Sequence, residues 1–497
     1  MNRLGQFARK GLPRGAGSVY DTGGRLTGTW LRNSGGTLLN QHLYAYNGGG
    51  QRSQMTRTDA SYVTYGYDDD AQLVSAVGSG GQSTENLAYI YDPGWNLTNR
   101  TSGGTPVAYS VNDFNQATSL GGLSATYDAN GNRTAQVYDA NGPKTYTYTY
   151  DDENQLLSVA TDTYYTSAAS RWKSEFTYDG RGRLRIRKDY TWPSGSWYLV
   201  SEIRYLYDGM RVVQERNSSN VPTVAYTRGK DLSGSLEGAG GIGGLLARSH
   251  GYSGGTWSTH SCYHADGNGN ITYLINASQA MVASYRYDPY GRTLSASGSL
   301  AAANTYRFSS KEIHPNSGMY YYGYRFYDPN TQRWLNRDPM GNRPVTFLWR
   351  GIERHLCPGE LVIGPNLYKF VANDPNNHAD ADGRIIVPIL IAGGTVLVVW
   401  GLWEMVDAII HAQKCAENAA NNRERQNDII ADPSIIFVPT RDQAVGSGLS
   451  DLAPDLYKMA TGPGTLAGGP AGIPENAGGA AITIIWTGVQ PEPEIKK

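Results

Sequence analysis

The sequence predicts a mainly β protein, and three observations support this. First, the 497 residues include 36 Tyr and 61 Gly but only 8 Phe, and Tyr favours strands while Gly favours tight turns. Second, a short Tyr-Asp pattern returns along residues 20 to 330. Third, Tyr and Thr alternate in segments such as residues 146–150, which places the rings on one face of a strand.

Each copy of the repeat consists of an aromatic strand, the Tyr-Asp pair, a turn with Gly or Asn, and a second strand that begins near a Leu. The Asp side chain can cap the turn, and Gly or Asn supplies the positive φ that a hairpin needs. Stacked hairpins would form one antiparallel ribbon that must curl or spiral. Tyr-Asp turns also occur in ordinary sandwiches and barrels, which is the alternative. The copies begin at Tyr20, Tyr67, Tyr91, Tyr127, Tyr150, Tyr178, Tyr207 and Tyr287.

These repeats resemble the YD repeats of bacterial Rhs proteins, of the C subunits of insecticidal Tc toxins and of teneurins. Residues 306–312, 318–329 and 333–341, followed by 366–371 and 373–375, resemble the Rhs repeat-associated core domain. The resemblance implies a spiralling antiparallel YD-repeat β-shell whose end is plugged by the core, with the following chain inside the shell.

The resulting domain prediction has five parts. Residues 1–19 are an N-terminal lead-in, residues 20–300 the YD-repeat shell, and residues 301–384 the core domain. Residues 385–405 are an apolar helix, and residues 406–497 are a variable C-terminal region that contains a further α-helix.

The resemblance also implies a self-cleaving core in which two Asp-Pro-x-Gly elements supply an aspartyl pair. The first element, residues 337–341, is intact, whereas the second, residues 380–384, has Ala381 in place of Pro and Arg384 where the family has Leu. By this resemblance Asp338 and Asp380 form the catalytic pair, Arg337 is their electrostatic partner, and the cut follows Arg384. A longer loop at residues 342–365 is a second departure. The alternative is that both Asp segments are capped turns without chemistry.

Residues 385–403 contain no charged side chain over 19 positions. A helix of about 20 such residues can span a bilayer, so the segment is predicted either to insert into a membrane or to be shielded inside the shell. One Arg before it and acidic residues after it weakly favour a cytoplasmic N-terminal side.

Composition excludes several functional classes. The net charge of -1 argues against a nucleic-acid partner, and Cys262, Cys357 and Cys415 show no spacing typical of disulfides or zinc. No cofactor, metal site or turnover enzyme is predicted. The resemblance implies a secreted or cell-surface protein, with membrane association if the apolar segment inserts. Residues 1–14 lack the apolar core of a signal peptide, so we expect export by a specialised route or as part of a larger product.

Three functions are compatible with these features. The first is a polymorphic-toxin shell that encloses or presents a C-terminal effector and releases it by autoproteolysis, with a secretion apparatus and an immunity protein as further partners. The second is a non-catalytic surface or adhesion protein tethered by the apolar helix. The third is a truncated or degenerate gene product.

Overall fold

The computed structural model of this chain describes residues 15–80, 83–138, 144–163, 166–340 and 366–384, together with the strand segments 344–349, 352–358, 386–388, 391–392, 395–396, 435–436 and 483–484. The chain divides into two units, residues 1–340 with 365–398, and residues 341–364 with 399–497. The first unit contains the repeats and the described part of the predicted core domain, residues 301–340 with 366–384, which we call the core segment.

Most of the first unit is one antiparallel meander. Among the described residues, twenty-four strands follow one another, and each pairs with the next along the chain. This confirms the predicted mainly β fold with a long antiparallel sheet. The strands are β1 Gly15–Tyr20, β2 Leu26–Arg32, β3 Leu38–Tyr46, β4 Arg52–Arg57, β5 Tyr62–Tyr67, β6 Leu73–Gly78, β7 Leu87–Tyr91, β8 Leu97–Ser102, β9 Thr105–Val111, β10 Ala117–Leu120, β11 Leu123–Tyr127, β12 Arg133–Val137, β13 Thr145–Tyr150, β14 Leu156–Thr161, β15 Trp172–Tyr178, β16 Leu184–Thr191, β17 Tyr198–Asp208, β18 Arg211–Arg216, β19 Pro222–Arg228, β20 Leu245–Ser253, β21 Thr256–Ala265, β22 Ile271–Asn276, β23 Met281–Tyr287 and β24 Thr293–Ser297.

The Asp of the repeat organises each turn. At Asp128, one carboxylate oxygen accepts the backbone N–H of Asn132 (2.8 Å), and the other accepts the Asn132 side-chain amide (2.9 Å). Gly131, three residues after the Asp, has a φ of 86°. The Asp at positions 68, 92, 151, 179, 266 and 288 likewise accepts the backbone N–H four residues later. The turn therefore needs both an acceptor side chain and a residue that tolerates a positive φ.

The Tyr of the repeat joins successive hairpins. Tyr150, at the end of β13, donates its hydroxyl to the carbonyl of Arg133, the first residue of β12 (3.0 Å). Tyr178, at the end of β15, does the same to Leu156 of β14 (2.7 Å). Because a Phe at these positions would leave the buried carbonyl without this donor, the repeat requires Tyr.

The ribbon curls until early strands meet late ones. The hydroxyl of Tyr44 in β3 accepts the backbone N–H of Gly267, just before β22 (2.6 Å). The side-chain amide of Asn40 in β3 donates to the hydroxyl of Thr272 in β22 (2.9 Å). These contacts agree with the curling expected of stacked hairpins.

The core segment forms a small four-stranded antiparallel sheet of β25 Glu312–Ile313, β26 Tyr320–Tyr321, β27 Phe326–Asp328 and β28 Arg333–Trp334. Its rings pack closely, with Tyr327 stacked on Phe370 (centroids 3.9 Å apart). A fully buried ion pair between Arg133 of β12 and Asp328 of β27 (3.0 Å) joins the core to the ribbon. The core segment is therefore fixed to the repeats by charge as well as by apolar packing.

The remaining described elements are short. In the first unit they are the 3₁₀ turns Ser83–Glu85, Ala168–Ser170, Phe308–Ser310 and Val371–Asn373, and the strands β31 His378–Asp380, β32 Ile386–Pro388, β33 Ile391–Ala392 and β34 Thr395–Val396. In the second unit they are β29 Pro344–Trp349, β30 Ile352–Pro358, β35 Ile435–Ile436 and β36 Thr483–Ile484, in the pairs β29 with β30 and β35 with β36.

The predicted apolar helix at residues 385–405 is wrong wherever the structure describes that range, because β32, β33 and β34 lie there. Nine of the 21 residues of this range are β-branched, and the range also includes Pro388 and the pair Gly393-Gly394. All of these weaken a helix. No helix in the described part of the chain is long and apolar enough to cross a membrane. The predicted helix near residues 406–426 lies outside the described residues.

Candidate active site

The core segment brings Asp338 and Asp380 together around one arginine, Arg325. Asp338 follows β28, Asp380 ends β31, and Arg325 immediately precedes β27. One terminal nitrogen of Arg325, Nη2, donates to Oδ2 of Asp338 (2.6 Å) and lies 3.7 Å from Oδ2 of Asp380. Both predicted carboxylates therefore face the same guanidinium.

Backbone and ring contacts fix the orientation of Arg325. Its Nη1 donates to the carbonyl of Leu367 (3.1 Å), and its Nε donates to the carbonyl of Gly383. The guanidinium lies over the ring of Trp334, 4.1 Å from the centroid. A planar cation that is held on one face and at three nitrogens can present only one geometry to the two acids.

Both carboxyl groups are buried, with exposures of 8% for Asp338 and 1% for Asp380. Burial raises the pKa of Asp380 to about 7, and the charges of Asp382 and Asp338 act in the same direction, while Arg325 opposes them. Burial also raises the pKa of Asp338, again against Arg325. One proton is therefore retained near neutral pH, so that one group can act as an acid and the other as a base.

The loop that follows Asp380 wraps around its carboxylate. Oδ1 of Asp380 accepts the backbone N–H groups of Asp382 (3.1 Å), Gly383 (2.7 Å) and Arg384 (3.2 Å). Strand β31 pairs with β32, and Asp380 lies opposite Ile386 in that register. The candidate scissile bond after Arg384 therefore belongs to the short connection between these two strands.

Arg384, one of the departures from the family pattern, has specific partners. Its Nη2 pairs with Oδ2 of Asp382 (2.6 Å), and its guanidinium lies 3.5 Å from the centroid of the Tyr324 ring. The residue before the candidate cut is thus held in place by charge and by stacking, where a Leu would need an apolar pocket. Ile385, on the other side of the bond, lies outside the described residues.

The side chain of Arg337, the third predicted site residue, is directed toward a repeat turn. Its Cδ lies 2.7 Å from the point that a Cβ on Gly131 would occupy, beside the Tyr368 hydroxyl. Arg325, which the sequence analysis did not name, contacts both carboxylates. The sequence held only an indirect signal, because Arg325 lies in an aromatic segment and an Arg that becomes buried needs a counter-charge.

No family model matches the chain. The tRNA nuclease WapA of Bacillus subtilis is 26% identical over 316 residues, which cover 62% of this chain but 11% of WapA. The toxin subunit YenC1 of Yersinia entomophaga is 23% identical over 454 residues, covering 73% of this chain and 44% of the subunit.

Among solved structures, the crystal structure of TcdB2-TccC3 matches 74% of this chain with a TM-score of 0.52 and 22% identity, and the match spans 18% of that chain. At this identity the match establishes the fold. The chain spans about a tenth of the length of its nuclease relatives.

Proposed function

This chain is homologous over most of its length to the Rhs and YD-repeat toxin-shell proteins, and from that premise we propose that it encloses its own C-terminal segment and frees it by aspartyl autoproteolysis after Arg384. The observation that carries the proposal is the buried Asp338 and Asp380 pair on Arg325. In this reaction a water molecule attacks the Arg384 carbonyl, one carboxylate accepts the water proton, and the other acid protonates the leaving nitrogen of Ile385.

The geometry supports cleavage at this position in two ways. First, the connection between β31 and β32 carries the bond, and three of its backbone N–H groups already bind Asp380. Second, the raised pKa of Asp380, about 7, lets its carboxyl group keep a proton at the pH of a cell. Arg325 would hold the ionised partner, and the electrostatic role predicted for Arg337 stays part of the proposal.

The released piece, residues 385–497, is proposed to be the effector. Relatives of the chain as a whole include the tRNA nuclease WapA and a protein named double-stranded DNA deaminase toxin A, from Burkholderia cenocepacia. Export by a specialised secretion route and neutralisation by an immunity protein remain part of the proposal. The alternative of an uncut surface protein depended on a helical tether over residues 385–405, and the described residues of that range are strands.

Intact-mass analysis of the purified full-length chain tests the proposal. We expect the wild type to break after Arg384, and Asp338→Asn, Asp380→Asn and Arg325→Met each to remain whole, because each removes a member of the site. Arg183→Met is the matched control, since Arg183 pairs with Asp179 in a repeat turn, and it should break like the wild type. A single uncut species in the wild type would refute autoproteolysis. Expression of residues 385–497 alone in cells then tests the effector role.

A further inference from the structure

The loop that carries the candidate scissile bond is held from outside by two residues of other segments. The buried ammonium of Lys311 donates to the carbonyl of Ala381 (2.6 Å) and to the carbonyl of Gly240 (3.0 Å). Lys311 also lies over the ring of Tyr322, 5.2 Å from its centroid. One cation thus joins the loop after Asp380 to a glycine-rich loop of the repeats.

Gly240 approaches the same carbonyl so closely that no side chain fits there. A Cβ on Gly240 would lie 1.7 Å from the carbonyl oxygen of Ala381, and the φ of Gly240 is 60°. The loop that presents Gly240 connects β19 to β20 and is organised by buried Asp231. One carboxylate oxygen of Asp231 accepts the backbone N–H groups of Ala239 (2.8 Å) and Gly241 (3.0 Å) on either side of Gly240.

The two Asp elements of the site differ in how strongly their own residues fix the backbone conformation. In each, the Asp carboxylate accepts the backbone N–H two residues later, from Met340 (2.9 Å) or Asp382 (3.1 Å). Pro339 fixes its own φ in the first element, whereas Ala381 occupies the corresponding place in the second. The second element therefore needs an external restraint on residue 381, and Lys311 and Gly240 contact its carbonyl.

We propose that Lys311 and Gly240 are positioning residues that hold the Ala381 carbonyl, and with it residues 381–384, in the geometry required for cleavage. This inference rests on the proposed autoproteolysis and names residues that the Asp pair alone does not identify. Lys311 faces Asp380, Asp382 and Asp231 as well as the cation of Arg228. Its charge therefore also favours the ionised form of Asp380.

Two variants of the full-length chain test the role, each with a matched control. Gly240→Ala places a methyl group on the Ala381 carbonyl, whereas Gly50→Ala introduces a similar backbone strain (φ 82°) with no atom within 4 Å of the new Cβ. Lys311→Met removes the ammonium and keeps the stem, and Lys188→Met does so in strand β16. Intact mass follows the rate of cleavage from pH 5 to 9. Amide hydrogen exchange is measured at residues 380–384, and the thermal midpoint reports whether each variant is folded.

We expect Gly240→Ala and Lys311→Met to slow cleavage about 100-fold, as for a misplacement of roughly 1 Å, and to speed exchange at residues 382–384. The pH midpoint of cleavage should also rise in Lys311→Met, because Asp380 loses a neighbouring cation. Both controls should behave as the wild type.

Unchanged rates and unchanged exchange in both variants would overturn the positioning role while leaving autoproteolysis intact. If the wild type itself does not cleave, the proposed function fails, and exchange alone decides whether Lys311 and Gly240 hold the loop. If one variant does not fold, the other decides.

Discussion

Replacing Asp380 by Asn should make the stability of the protein less dependent on pH. Burial raises the pKa of the Asp380 carboxyl group to about 7 in the folded chain, from an ordinary value of 3.8. Between these two values the folded state binds more protons than the unfolded state, so stability falls as the pH rises. Asn preserves the acceptor for the three N–H groups of residues 382–384 but cannot ionise.

The size of the effect follows from the two pKa values. Over the whole window the ionisation of Asp380 costs at most about 4 kcal/mol, and the part between pH 5 and pH 8 is about 2.5 kcal/mol. Any effect of Asp380→Asn that does not depend on pH changes the free energy of unfolding by the same amount at pH 5 and at pH 8. The change in the free energy of unfolding between pH 5 and pH 8, compared with and without Asp380→Asn, therefore isolates the titration of Asp380.

Urea unfolding, followed by tryptophan fluorescence, measures the free energy of unfolding at pH 5 and at pH 8. Both chains carry Asp338→Asn, so that neither is cut during the experiment. Burial, the largest cause of the raised pKa of Asp380, is retained in that background, whereas the charge of Asp338, which also raises it, is lost. The value of about 2.5 kcal/mol is therefore an upper limit for these two chains. An equal change in the free energy of unfolding between pH 5 and pH 8, with and without Asp380→Asn, would refute the idea that the buried Asp380 carboxyl group retains its proton.

Three further substitutions test the fold that positions the site. Tyr178→Phe removes the hydroxyl that binds the Leu156 carbonyl and should lower the free energy of unfolding in urea by about 1 kcal/mol. Tyr20→Phe, at a position that is 40% exposed, should lower it little. Equal losses would contradict the bridging role of the repeat Tyr. Arg133→Met leaves Asp328 buried without its cation and should lower the free energy of unfolding by about 3–5 kcal/mol, part of which the added change Asp328→Asn should restore. Gly131→Ala places a Cβ 2.5 Å from the Tyr368 hydroxyl and should lower the thermal midpoint; an unchanged midpoint would show that the core does not pack on this turn.

The sequence alone was sufficient to predict the repeat architecture because its signals are local. Alternation of Tyr and Thr, an Asp acceptor and a Gly or Asn after it specify a hairpin within a few residues. Turn positions such as Trp95 were less evident, because that residue has a φ of 61° although its ring disfavours the conformation. Its carbonyl accepts the amides of Asn366 and Asn373, a tertiary contact that no local pattern predicts.

The site was predictable in part because its motifs resemble those of a known family. Asp338 and Asp380 were assigned from that resemblance, and the structure brings them together around Arg325. Arg325 lies between aromatic residues, and its role depends on Leu367 and Gly383, which are distant in sequence. Arg337 was assigned from the family resemblance, and its electrostatic role stays a prediction. The helix over residues 385–405 was predicted from hydropathy alone, which does not distinguish a helix from strands rich in Ile and Val.

The central claim is that the Asp338 and Asp380 pair cuts the bond between Arg384 and Ile385. N-terminal sequencing of the smaller fragment from the purified, denatured full-length chain tests it most directly. We expect one new N-terminus that begins Ile385-Ile386-Val387, present in the wild type and missing from Asp338→Asn. A fragment that begins elsewhere, or the same fragment from Asp338→Asn, would contradict it.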